Sequence, residues 1–449
     1  MENYKLEFKL KQHTPIIHFQ HEQHGATLRG SELKPKLDKY ILKKLGKEAD
    51  TTLVDDEAIY EKGKEVAKTR NWLVGKGEHQ ALDYKVRIES ESVNKEIDLQ
   101  DMNRDGTPKT KYNERKKIHE PITKAFPMFF STMGEDWKEN KKEFCFNKNI
   151  FLNIISSKSE LVNKIKEIFP LFIFLNNFGT RQSKGFGSYF IDEKDKNYIS
   201  PSNLIQLSGN HFWQLSFSIE KERDINVVKS YDEYQFYYKV FNKIDDFCKA
   251  IRSGINLSFL DPPFYLKSLL YIYITTIFQN TWEKKKIKDY HFSGYITKHT
   301  HLHPGGSPDS YLYRDMLGLS NLQEWKLPYN DLIAKEDLMK DNNDNLTNDF
   351  KIDRYKSPVT IIPFQISETD FIVYLSIRAT NPKMLNRKFE IKSKSLTGQE
   401  ISTPPSFATE NYLDFLTGVD LNTIVDPSMN RHWYFKKLNQ LFSTFQRSN

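Results

Sequence analysis

Between two apolar runs, Ile168–Leu175 (IFPLFIFL) and Tyr189–Ile191, the chain carries Asn176–Ser188, NNFGTRQSKGFGS. Gly179, Gly185 and Gly187 admit backbone angles that a Cβ would penalise, and they let a neighbouring group come close to the main chain. Among them stand Arg181 and Lys184, the hydroxyls of Thr180 and Ser183, and the Gln182 amide. A loop of this kind offers N–H groups and cations together, the chemistry that a polyanion backbone needs. It matches neither the nucleotide P-loop spacing nor the dinucleotide fingerprint. The same composition also serves a tight helix-to-strand connection that binds nothing.

A chain of 449 residues has room for roughly two to three domains. Its 66 basic and 59 acidic residues leave a formal charge of +7, which permits a nucleic-acid partner without requiring one. Cys145 and Cys248 are its two cysteines, too few for a disulfide framework or a cysteine zinc site. The opening MENYKLEFKLKQ lacks the apolar core of a secretion signal. The apolar run Phe264–Phe278 is interrupted by Lys267 and is too short to span a bilayer. A soluble, cytoplasmic chain without membrane contact is expected.

Alternation of Tyr4, Leu6, Phe8 and Leu10 predicts a half-buried strand. Leu33, Leu37, Tyr40, Ile41 and Leu45 fall at helical spacing, with Ser31 as the expected N-cap and Gly46 as the expected stop. The start of that helix carries Thr27, Arg29, Ser31, Lys34 and Lys36; cations there oppose the helix dipole and point to a shared anion, unless they are simply solvated. Leu82–Ile88 and Phe144–Ile155 read as strands, and Glu160–Ile168 as a helix that Pro170 kinks or restarts. Between them, Glu89–Glu120 is a polar segment with an Asp105-Gly106 turn signal, a long loop or a protruding hairpin. Beyond Leu204, a strand at His211–Ile219 precedes helices at Tyr231–Ile251 and Phe264–Lys286, the last ending in a basic tail. Pro358–Ile366 and Phe371–Arg378 form a hairpin about Ser367-Glu368-Thr369. Two α+β units follow, over residues 1–200 and 201–449.

Three runs carry a family resemblance. Gly179–Ser188 follows the form G-[ST]-R-x-[SR]-[KR]-G-[FY]-G-S; Thr14-Pro15 followed by Gly25–Lys34 is similar to a strand–loop–helix opening with R-G-S-x-L-[KR]; Arg354–Pro358 (RYKSP) is a looser third match. In these the chain resembles the RAMP superfamily of CRISPR type III effector complexes, and most of all the large tandem-RAMP Cmr subunits near the guide 3′ end of type III-B complexes. The resemblance implies tandem ferredoxin-like (RRM-like) units, here with helical insertions. It implies a noncatalytic subunit of an antiviral effector, partnered by guide RNA, target RNA and other RAMP subunits, with no cofactor. The RNA-binding residues it implies are Thr27, Arg29, Ser31, Lys34 and Lys36, then Gly179, Arg181, Gln182, Ser183, Lys184, Gly185, Phe186 and Gly187. No second Gly-rich loop is found in the C-terminal half, so RNA contact is expected mainly from the N-terminal unit.

The alternative is a metal-independent CRISPR-RNA endoribonuclease using His13, His18, His21 or His24 as general acid or base. His299, His301 and His303 would share one face of a strand, but no carboxylate or cysteine completes a ligand set, so a surface cluster is favoured. Asp98, Asp101 and Asp105 read as solvated loop charge rather than a metal-dependent nuclease site. A protein adaptor whose basic loops dock a neighbour is the third reading.

Overall fold

The computed structural model describes residues 4–17, 28–77, 80–96, 110–113, 117–121, 143–219, 233–257, 260–291, 310–320, 322–325, 331–338, 351–378, 382–393 and 398–448. The first unit runs β1 (Lys5–Gln12), α1 (Gly30–Ala49), α2 (Asp56–Thr69), β2 (Lys85–Glu96), β3 (Glu143–Ile155), α3 (Ser159–Leu175) and β4 (Tyr189–Ile191). Its sheet has the order β2-β3-β1-β4, antiparallel throughout. That is the split β-α-β-β-α-β arrangement of a ferredoxin-like unit. Leu6, Phe8 and Leu10 of β1 point to one side, where they meet Leu33, Leu37 and Ile41 of α1 and Ile165 and Phe169 of α3 in one core.

The second unit begins with α4 (Pro201–Ser208), β5 (Phe212–Ser218), α5 (Glu233–Arg252), α6 (Leu269–Ile277), α7 (Glu283–His291) and the short α8 (Tyr313–Met316). It continues with β6 (Leu322–Trp325), β7 (Asp331–Asp337), β8 (Val359–Gln365), β9 (Asp370–Ile377), β10 (Lys388–Lys392) and β11 (Gln399–Ser402). It closes with α9 (Thr409–Thr417), α10 (Trp433–Phe442) and β12 (Gln446–Ser448). Its main sheet is ordered β8-β9-β5-β12 and is again antiparallel. With α5 after the first of these strands and α10 before the last, the connectivity of the first unit is repeated. Sheet membership changes between Ile191 and Phe212.

Several local expectations give way to packing. Gly46 does not end α1, which runs on to Ala49; a Cβ there would lie 1.9 Å from the Ile59 carbonyl, and one on Gly63 would lie 1.8 Å from that of Leu42. The two glycines let α1 and α2 cross with their backbones nearly in contact. The N-cap of α1 is Arg29, not Ser31. Pro170 lies inside α3. A proline there costs about 3 kcal/mol. Phe169, Phe172, Ile173 and Phe174 are all buried on the same helix, at about 1.5–3 kcal/mol each, and outweigh it.

The expected helix over Phe264–Lys286 is divided. Phe264–Leu266 pairs with Ile255–Leu257, the Ser268 hydroxyl accepts the Tyr271 N–H to cap α6, and Gln279 takes φ 53° before α7. Nor are the insertions only helical: β6-β7-β10-β11 form a further antiparallel sheet. It is tied to the rest by buried ion pairs, Arg314 with Glu283 at 2.6 Å and Lys335 with Asp315. The Asp105-Gly106 turn and Asp98, Asp101, His299, His301 and His303 lie outside the described residues.

Candidate nucleic-acid interface

The Gly-rich loop sits where the two units meet. Gly179, Gly185 and Gly187 have φ of 80°, 91° and 67°, and Arg181 is left-handed as well. Thr14 and Pro15 grip the loop from β1: the Thr14 hydroxyl donates to the Gly185 carbonyl at 2.7 Å, and the Gly187 N–H donates to the Pro15 carbonyl at 2.9 Å. The N–H groups of Phe178, Thr180, Lys184, Gly185 and Ser188 are also bonded within the protein. Most of the donors that the sequence offers to a ligand are therefore already in use. On its other side the loop closes the edge of the second sheet. Asn177 donates to the Ile361 carbonyl and Ser188 to the Pro363 carbonyl, at 2.7 and 2.8 Å, satisfying acceptors that an edge strand would leave open.

Phe186 is fully buried, its ring 3.8 Å from that of Phe241 on α5 and nearly parallel to it. It anchors the joint and does not face an RNA base. A Cβ on Gly185 would lie 2.8 Å from Pro363, and one on Gly187 only 2.0 Å from the Phe178 carbonyl. These glycines serve close protein packing. Lys184 lies within electrostatic reach of Asp245 on α5. Arg181, Gln182 and Ser183 form the half-buried outer turn, where desolvation lowers the Arg181 pKa.

The start of α1 faces the same loop. Glu32, to which the sequence reading assigned no role, accepts the Gly179 N–H at 2.9 Å and the Gln182 amide at 3.0 Å. Lys36 bonds Glu32 at 2.8 Å and the Asn177 carbonyl at 3.2 Å, above the Phe178 ring. Lys34 bonds Asp38 at 2.8 Å and the Leu82 carbonyl at 3.0 Å, above Tyr84. Ser31 is exposed in the first turn, Arg29 is half-buried, and Thr27 lies outside the described residues.

Two further cations reach this region from the second unit. Lys356, in the RYKSP run, and Arg378, at the end of β9, are joined through the Arg378 N–H and the Pro358 carbonyl at 2.9 Å. Lys356 is held down to about 8, first by desolvation in the cleft and then by the charges of Arg378 and Lys36. Lys36 is itself lowered by burial, offset by Glu32, with Arg378 adding to the lowering. Among the described residues no carboxylate lies within ion-pair distance of Lys356 or Arg378. The Lys-Ser-Pro run was the sequence signal for this part of the site, visible but without an assigned role.

His13 is not placed for catalysis. It is buried against Phe364 and Phe190, with ring centroids at 4.5 and 4.8 Å, and its Nδ1 accepts the Gln365 N–H at 2.8 Å. Burial and the neighbouring Lys11 hold its pKa well below the usual value, so it is a neutral group of the joint. His18, His21 and His24 lie outside the described residues. Among the described residues no cluster of three or more His, Cys, Asp or Glu could hold a metal, and no helix is long and apolar enough to cross a membrane.

Two family models match the chain, the Cmr1 N-terminal domain over residues 3–255 and the Cmr1 C-terminal domain over residues 265–440. The first extends past the change of sheet and takes in β5 and α5. No curated protein matches. Among solved structures, the chain is similar to apo Cmr1 from Pyrococcus furiosus, at 10% identity and TM-score 0.39, over 84% of this chain and 89% of that one. It is also similar to a chain of the Type III-B Cmr-beta complex bound to cognate target RNA, at 11% identity and TM-score 0.38, over 88% and 96%.

Proposed function

The chain belongs to the Cmr1 family, and we propose from that premise that it is a noncatalytic RNA-binding subunit of a type III-B CRISPR effector complex. Its partners on this reading are guide RNA, target RNA and neighbouring RAMP subunits. The RNA backbone lies in the cleft between the two units, on Lys36, Lys356 and Arg378, with Arg181 and Ser183 at the outer turn of the loop. The observation that carries the reading is the mutual repulsion of Lys356, Arg378 and Lys36, which a line of phosphates would relieve. Contacts of this kind position a strand without reading its sequence. The histidine-dependent alternative loses His13 to the joint, and end-labelled repeat RNA incubated with the protein in EDTA is expected to stay intact.

Fluorescence anisotropy with a labelled 12-nucleotide oligouridine tests the cleft. Lys356→Glu with Arg378→Glu should weaken binding at least tenfold and flatten its salt dependence, since each phosphate contact contributes about 0.7 to the slope for a single strand. An unchanged affinity in a variant that melts like wild type would reject the cleft.

A further inference from the structure

Beyond Lys36, α1 packs beside α3 and the segment leading into α4, and these outline an open groove of about 710 Å³. Leu171 and Leu204 give it an aliphatic floor, and Leu207 stands at its side with 66% of its surface exposed. Lys44 of α1, Lys166 of α3 and Lys196 ahead of α4 line it from three directions. Two carboxylates, Glu48 and Glu167, also reach the lining, but both are held by Lys164, at 2.9 and 3.1 Å. Among the described residues no carboxylate lies within ion-pair distance of Lys44, Lys166 or Lys196. An apolar floor ringed by unmatched ammonium groups is complementary to one kind of surface.

We propose that this groove docks an acidic amphipathic segment of a partner protein. Its carboxylates would meet the three lysines, and its aliphatic side chains would cover Leu171, Leu204 and Leu207. Apolar anchors inside a charged rim are the usual division of labour in such an interface. RNA fits less well. Tyr40 and Tyr198, the aromatic rings of the lining, pack against the N-terminal core and offer no open face for a base. Glu48 and Glu167 would also stand against a phosphate backbone.

The test uses the full-length protein and three fluorescent probes. One is a 16-residue helical peptide with Leu on one face and Glu on its flanks, one is the same peptide with Lys for Glu, and one is a 12-nucleotide oligouridine. The acidic peptide should bind at least tenfold more tightly than the basic one. Leu207→Glu should weaken the acidic peptide at least tenfold with no change in melting temperature, since the side chain is exposed. Lys44→Glu, Lys166→Glu and Lys196→Glu together should reverse the preference between the peptides; if that variant does not fold, Leu207→Glu alone decides. Equal binding of both peptides would overturn the proposal. So would a triple variant that loses oligouridine and keeps the acidic peptide, which would assign the groove to RNA.

Discussion

Phe186→Ala separates the two roles that the Gly-rich loop could have. The residue sits in the loop of the first unit, yet it belongs to the core of the second, fully buried and stacked on Phe241 at 3.8 Å. Truncating a buried phenylalanine costs about 3–5 kcal/mol, because the transfer energy of the ring and the cavity it leaves add together. Had the ring stacked on an RNA base, its loss would cost about 1–3 kcal/mol of binding, roughly 5- to 150-fold in Kd, with stability unchanged. Urea unfolding followed by tryptophan fluorescence reads the first quantity, since Trp213 is buried in the same core. Anisotropy with oligouridine at low temperature, on folded protein, reads the second. The joint predicts a stability loss of about 3 kcal/mol or more and RNA affinity within about twofold of wild type, a margin worth about 0.4 kcal/mol. A variant as stable as wild type that binds RNA weakly would refute the reasoning.

Three further outcomes follow from the same region. The folded state keeps His13 neutral while the unfolded chain takes up a proton below about pH 6.5, so stability should be level above that pH and fall by about 1.4 kcal/mol per unit below it. His13→Gln should remove this component between pH 5.5 and 7.5, and equal slopes in urea titrations of both proteins would contradict it. Lys356, with a pKa of about 8, should lose its charge between pH 7 and 9, so RNA affinity should fall over that range in wild type and hold level in Lys356→Arg. Parallel pH curves would exclude Lys356 from the contact. Glu32→Gln should release Lys36 from its carboxylate, raising RNA affinity a few-fold while lowering the melting temperature; a variant unchanged in both would show that Glu32 does not hold the loop.

What was legible in the chain was local. The alternation in β1 and the β8–β9 hairpin, whose turn lies where Ser367-Glu368-Thr369 places it, follow from period-two patterning against a single buried face. The internal stripe of α1 follows likewise from helical spacing, but its end did not, because Gly46 reads as a stop until Gly63 is set against it. The β6-β7-β10-β11 sheet carried no local signal as a unit. Its two halves, Leu322–Asp337 and Lys388–Ser402, are separated in sequence by a hairpin that belongs to another sheet. At the site, the residue types were legible and their partners were not. Nothing in GTRQSKGFGS says that Phe186 turns inward or that Asn177 and Ser188 meet an edge strand more than a hundred residues away.

The loop reads as an anion site because it is one, and its anion is the protein's own. Glu32 occupies the variable position of the R-G-S-x-L-K run, and its carboxylate takes the Gly179 N–H, the Gln182 amide and the Lys36 ammonium together. Two motifs that each suggest phosphate binding when read alone are complementary to one another, and joining them fixes α1 to the loop. The positive charge that remains for a ligand then lies one layer further out, where Lys356 and Arg378 have no carboxylate among the described residues. Both belong to the second unit, and Lys36, beside them, belongs to the first. A basic surface confined to the N-terminal unit is therefore replaced by a cleft whose strength depends on how the two units are held. That dependence gives the fully buried Phe186, the Asn177 and Ser188 hydrogen bonds and neutral His13 a bearing on RNA affinity without any of them touching RNA.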